Sequence, residues 1–368
     1  MLSRSFLLGA TAATLVAALP QNIDFAAVDS VPTPSVLGAP LAATVQSQVP
    51  TYSPSAAAQS AAAAVPTDPI SSSTDDDGSD SKRSLVERKA CDPQKQGAAP
   101  VTSPDTASAF LANSNYTTTQ ANAPVPQGYQ IVFQNLQGAT QQNGYLGYYT
   151  LSSYDTVKCQ QYCDKASSCQ AFNVYIERDP AVEPGTGCDN PPSTVNYKCS
   201  LYGLPVSNTT ATNTGQWRAN FQVVITGSNG YVKNAAPPSY TDFTGPTEFG
   251  GAINAPIKNG QSSYIGVKVF PGPYDPGQCA AACEAQTQYD HDHPRSDGTY
   301  DPCNFFNSYI LSKNNNPIGT YCSFYTQAWG KSYAVNTGQY DSDGNYYSVS
   351  SSYGYTLTNQ DPGVVSSS

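Results

Sequence analysis

The sequence predicts an α+β protein of two small units, each a helix tied by cysteines to neighbouring strands, behind a disordered N-terminal region. Three observations carry this. The chain holds ten cysteines, its later part repeats itself block by block, and the stretch from Pro20 to Asp80 lacks the apolar density of a folded core.

The chain opens MLSRSFLLGATAATLVAALP. Arg4, an apolar run from Phe6 to Val16 and the small residues Val16-Ala17-Ala18 predict a secretory signal peptide over 1–18, too short to span a bilayer. Residues 19–83 are rich in Ala, Ser, Pro, Thr and Gln, contain Asp75-Asp76-Asp77, and read as a disordered pro-segment. The doublets Lys82-Arg83 and Arg88-Lys89 predict processing at Arg83 and Lys89. An N-terminal extension follows over 84–126. No later apolar run reaches membrane-spanning length, and Ser366-Ser367-Ser368 gives no hydrophobic tail for a lipid anchor. A secreted, extracellular product is expected, without membrane insertion. A net charge of −10 and the absence of a basic stripe argue against nucleic acid as a partner. The sequons at Asn115 and Asn208 predict surface glycans.

The repeat is read directly from the residues. CSLYGLPVSNTTATNTGQW (Cys199–Trp217) and CSFYTQAWGKSYAVNTGQY (Cys322–Tyr340) align without a gap. So do CQAFNVYIE (Cys169–Glu177) with CNFFNSYIL (Cys303–Leu311), and YDTVKCQQYC (Tyr154–Cys163) with YDPGQCAAAC (Tyr274–Cys283). Ahead of these, Tyr145-Leu146-Gly147 answers Tyr264-Ile265-Gly266, and four blocks in one order mark an internal duplication, placing one domain over 127–228, a linker over 229–252, a second domain over 253–358 and a tail over 359–368. In CQQYC and CAAAC the two cysteines fall on one helix face. CQAFNVYIE, CSLY and CSFY read as strands. Extra residues between the blocks, PGTGCDNPP in the first copy and DHDHPRSDG in the second, read as surface loops. In NTGQ-aromatic, Asn and Gly suit a tight turn, and Trp217 and Tyr340 are expected to pack on the hydrophobic faces of their sheets.

A Cys-x3-Cys helix, then Cys-x-x-Phe on a strand, then a later Cys-x-Leu-like strand resembles the PAN/apple module. Cys159, Cys163, Cys169–Phe172 and Cys199–Leu201 carry the resemblance in the first copy, and Cys279, Cys283, Cys303–Phe306 and Cys322–Phe324 in the second. The paired arrangement also resembles a group of uncharacterised secreted fungal proteins. The resemblance implies an antiparallel sheet with one packed helix in each unit. It also implies the pairs Cys159–Cys199, Cys163–Cys169, Cys279–Cys322 and Cys283–Cys303. Cys91 and Cys188 have no counterpart in the duplication. By elimination they pair and fasten the N-terminal segment to the first domain, the alternatives being a free or intermolecular Cys91.

Function is read against several alternatives. The resemblance implies a non-catalytic module that binds extracellular carbohydrate or protein at, for instance, a cell wall. The chain's 26 Tyr and abundant Asn, Gln, Ser and Thr suit sugar, since rings stack on pyranose C–H faces and amides and hydroxyls supply hydrogen bonds. The candidates are Trp329, Tyr333, Tyr346, Tyr347, Tyr353 and Tyr355, Trp329 standing where the first copy has Val206. The bland reading of YYSVSSSYGYT is a strand with one buried face. The second reading is a structural glycoprotein of the cell wall or matrix. The third is a polysaccharide-active enzyme using carboxylates such as Glu177, Asp179, Glu183, Glu248 or Glu284, none in a recognisable motif, with Glu177-Arg178-Asp179 reading as a charged strand end. The two histidines, His291 and His293, lie with Asp290 and Asp292 in a turn-rich insertion and read as solvated rather than metal-binding. There is no nucleophile elbow, and GSNGY (227–231) and FGGA (249–252) lack the lysine and helix of a phosphate loop. No catalytic residue, metal or cofactor is expected.

Overall fold

A computed structural model describes residues 22–41, 46–68, 70, 89–257 and 260–365. The predicted signal peptide, Arg83 and the last three serines lie outside the described residues.

Two antiparallel sheets organise the chain. The first contains β1 (Ser47–Gln48), β2 (Tyr129–Leu136), β3 (Tyr145–Leu151), β4 (Ala171–Pro180), β5 (Ser193–Tyr202), β6 (Gly215–Arg218) and β7 (Phe221–Lys233). The second contains β8 (Phe243–Phe249), β9 (Tyr264–Pro271), β10 (Phe305–Lys313), β11 (Asn316–Tyr325), β12 (Gly338–Tyr340) and β13 (Tyr346–Leu357). The orders coincide. β3-β5-β4-β7-β2 with β6 beside β7 matches β9-β11-β10-β13-β8 with β12 beside β13. Every pairing is antiparallel. The six helices are α1 (Phe25–Asp29), α2 (Pro54–Ala64), α3 (Ala107–Leu111), α4 (Ser114–Ala121), α5 (Thr156–Lys165) and α6 (Pro276–Asp292). No described helix is long and apolar enough to cross a membrane.

One helix lies on each sheet for a reason written in the repeat. Asp155 and Asp275 cap α5 and α6, accepting from the backbone N–H of Lys158 and Gly277. Four positions on, the first cysteine begins a buried stripe at i and i+4. Disulfides join Cys159–Cys199, Cys163–Cys169, Cys279–Cys322 and Cys283–Cys303, so each helix is stapled to its own sheet twice. A fifth joins Cys91 to Cys188 within the chain. Such a set is typical of extracellular proteins.

Behind the staples the two copies agree atom by atom. Tyr154 Oη donates to the carbonyls of Val174 and Gly227, and Tyr274 Oη to those of Ser308 and Ser351. Asn173 Nδ2 reaches Ser228 Oγ at 2.9 Å, and Asn307 Nδ2 reaches Ser352 Oγ at 2.9 Å.

Three expectations are corrected. The predicted 229–252 linker is strand at both ends. β7 continues to Lys233 because Tyr231 stacks on Phe172 in the core at 4.8 Å, and β8 begins at Phe243, leaving 234–242 as the connection. The insertion of the second copy starts as helix, since α6 runs 17 residues against 10 for α5 and carries Asp290, His291 and Asp292 in its last turn.

The third correction is the largest. The described part of 19–83 is ordered. Ser53 caps α2 with Pro54 in its first turn, and the alanine-rich helix lies along α6. β1 extends the first sheet at its β3 edge. Ile23, Val28, Val65 and Ile70 sit in cores made mostly of residues from the second unit, so the order comes from surfaces outside the segment.

Candidate functional site

The phrase NTGQ-aromatic builds the same small ribbon in each copy. Asn213 Oδ1 accepts from Gly215 N at 3.2 Å, and Asn336 Oδ1 accepts from Gly338 N at 3.1 Å. Backbone bridges Ala139–Asn213 and Ala252–Asn336 hold the two asparagines. The glycines have φ of 111° and 155°, and a Cβ on either would collide with the carbonyl oxygen of Val223 or Tyr347. The next residues form β6 and β12, where Trp217 stands opposite Gln222 and Tyr340 opposite Tyr346.

Both rings point into solvent. Trp217 is 66% exposed and Tyr340 70%, and among the described residues no other Phe, Tyr or Trp is classed as exposed. The expectation that they pack on hydrophobic faces is overturned, because β6 and β12 each pair with a single strand, β7 or β13, at the margin of the sheet and leave the two rings mostly exposed. Tyr340 leans on half-buried Tyr346, ring centroids 4.9 Å apart, giving a two-ring platform. Gln222, partly exposed, stands opposite Trp217 in the ladder and puts its amide beside that ring, whereas Gln339 alternates to the other face from Tyr340 and is bonded to Ile23 N and Asn22 Oδ1.

The six aromatic candidates do not form one site. Trp329 is buried, donates from Nε1 to Ser263 Oγ at 2.9 Å and meets Tyr333 edge-on. It packs with Phe249 and Tyr325, as Val206 packs with Phe133 and Tyr202, so the repeat does explain it: a larger ring fills the equivalent seat. Tyr347 is buried beside Phe25, and Tyr355 is buried on Phe306 with its hydroxyl on the Pro238 carbonyl. Tyr353 lines a polar cleft of about 450 Å³ between the sheets, with Gln130, Gln170, Lys233 and Glu248. Only Tyr346 joins an exposed ring.

The carboxylates fare differently. Glu177, Arg178 and Asp179 are a buried stretch of β4 and not a charged strand end. Lys198 Nζ lies 2.5 Å from Glu177 Oε1, Asn196 Nδ2 donates to Asp179 Oδ2 at 2.7 Å, and Arg178 pairs with Asp105 at 2.8 Å. Burial first, and Asp179 second, hold the Glu177 carboxyl well above its usual range. Burial alone would lower the Lys198 ammonium, but Glu177 and Asp179 outweigh it and raise it. Glu177, Asp179 and Lys198 are sealed from solvent and offer no access to a polymer, and Asp105 at the rim is taken up by Arg178 and Ser193. Glu183 pairs with Arg218, while Glu284 is exposed on α6.

A second cavity between the sheets, about 540 Å³, is lined by Pro54, Lys233, Pro237, Tyr240 and Asp275 among others. Its one carboxylate is committed: Asp275 accepts from Tyr52 Oη at 2.8 Å and caps α6. His291 and His293 are exposed at the end of α6, His293 Nδ1 lying 2.8 Å from the Tyr289 carbonyl. The sequon residues Asn115 and Asn208 are both exposed. No family model, curated protein or solved structure matches this chain.

Proposed function

We propose that this is a secreted, non-catalytic binding protein that holds extracellular carbohydrate on two aromatic platforms, Trp217 in the first unit and Tyr340–Tyr346 in the second. The supporting observation is that these two rings occupy equivalent positions, on equivalent turns, and are the exposed aromatic side chains among the described residues. An exposed indole or phenol face costs solubility and invites association, so its retention in both copies suits contact with a ligand. Stacking on pyranose C–H faces with flanking amides is the chemistry such a surface offers. The resemblance of the cysteine pattern to PAN/apple modules supports the same class. Two weak platforms on one chain gain by effective concentration, by roughly 10² or more when both engage one polymer. The enzymatic reading is weaker because Glu177 and Asp179 are sealed and Asp275 caps a helix. The cross-linking form of the structural reading loses its anchor, since Cys91 bonds to Cys188 of its own chain.

The test incubates the protein with insoluble chitin, β-glucan, mannan and cellulose and follows both depletion and release of soluble sugar. Saturable depletion is expected, reduced by Trp217→Ala or Tyr340→Ala and abolished by the pair. Undiminished depletion by the double variant would overturn the assignment of the rings, and sugar release would overturn the non-catalytic reading.

A further inference from the structure

Independently of that reading, we propose that the described residues of the N-terminal segment, 22–41, 46–68 and 70, form a non-covalent strap seated in a groove that the rest of the chain builds for it. A cut between Ile70 and Lys89 then leaves the strap in place and the protein becomes two associated polypeptides.

The segment crosses the molecule twice. It begins on the second sheet, where Ile23 and Val28 enter a core with Tyr309, Tyr321 and Tyr347, and Asp24 N donates to Tyr321 Oη at 2.9 Å. It then reaches the first sheet, where the Pro40 carbonyl accepts from Lys198 Nζ at 3.2 Å and Leu41 packs against Phe221 and Val223. β1 adds to β3, and the Gln46 carbonyl accepts from Thr150 N at 2.7 Å. The segment returns to the second unit through Tyr52 on Asp275 and α2 along α6. There Val65 and Ile70 enter the core around Cys279 and Phe324, Asp68 pairs with Lys268, and Ile70 N donates to Gln286 Oε1 at 2.8 Å.

Two features identify the groove as built for this occupant. Lys198 and Tyr321 stand at equivalent places in the duplication, immediately before Cys199 and Cys322, and the strap hydrogen-bonds to both. The strap also contains no cysteine, so its described attachment is by packing, hydrogen bonds and ion pairs such as Asp68–Lys268. Its loss would open apolar seats in two cores and bare the β3 edge. The doublets Lys82-Arg83 and Arg88-Lys89 lie within the link, so natural processing there would leave the same two pieces.

The experiment places a specific protease site within residues 71–88 of the full-length protein, cuts it, and runs native size exclusion with mass spectrometry of the peak. Co-elution of both pieces at low-micromolar protein is expected, with separation only in denaturant. A strap fragment eluting apart from a folded body would overturn the proposal. The Val65→Asp protein should keep its native elution volume uncut, because the tether holds the strap at high local concentration, and should lose the fragment once cut. If Val65→Asp does not fold, Lys268→Ala removes the partner of Asp68 nearer the surface and should speed fragment release after the cut. Fragment retention equal to wild type in the variant that folds would overturn the groove assigned here.

Discussion

The two sheets share a frame and differ at its centre. Tyr154 and Tyr274, Asn173 and Asn307, and the paired disulfides superpose role for role. Yet the first sheet buries Glu177 against Lys198, where the matching positions of the second are Leu311 and Tyr321. There Tyr321 stacks on Tyr309 at 4.8 Å, and Leu311 is fully enclosed. One backbone thus accepts a buried ion pair or an apolar pair at a single place. Desolvating two charges offsets much of their attraction, so the ion pair is weak evidence for stability. It does make the first unit sensitive to the loss of either partner.

The comparison can be broken in four ways. Lys198→Met alone removes the cation that neutralises the buried Glu177–Asp179 acidic pair and should cost about 3–5 kcal/mol in urea unfolding. Glu177→Leu with Lys198→Tyr, which imports the second sheet's solution, should recover most of that loss; a double variant as damaged as the single one would show that the two positions are not interchangeable. Replacing both Cys159 and Cys199 by alanine should cost roughly 2–5 kcal/mol, and replacing Cys279 and Cys322 a similar amount. A Cys159→Ala protein that melts like wild type would remove the staple from the common frame.

The third test uses pH. Glu177 keeps its proton more tightly folded than unfolded, so its contribution is fully present below about pH 4.3 and is lost as pH rises through the raised folded value. The double swap should therefore show a flatter melting temperature from pH 4.5 to 8, as measured by calorimetry, and an unchanged slope would deny Glu177 this role. The smallest effect is expected at the exposed rings, where Trp217→Ala and Tyr340→Ala should each change stability by less than about 0.5 kcal/mol. A larger destabilisation at either ring would mean that it belongs to the frame.

Much of the frame was legible because cysteine spacing acts locally. Two cysteines four positions apart place a helix and its buried stripe without knowledge of anything distant. The rest depends on partners far along the chain. Glu177 read as a strand end because Lys198 lies on the next strand, 21 residues away. Trp217 and Tyr340 read as core because repetition looks alike for a packed ring and a presented one, and only their exposure in the fold tells the two apart. Residues 22–70 read as disordered because their composition cannot support a core, and the cores they enter belong to residues written much later.

That last separation has a temporal side. Ile23 N donates to the side chain of Gln339, 316 positions downstream, so the earliest described residues complete their contacts only after the second sheet has formed. Loop closure over such a span is slow compared with the local pairing of α5 or α6. Residues 22–41 are therefore expected to gain hydrogen-exchange protection later in refolding than α5 and α6, and equal protection times would deny that order.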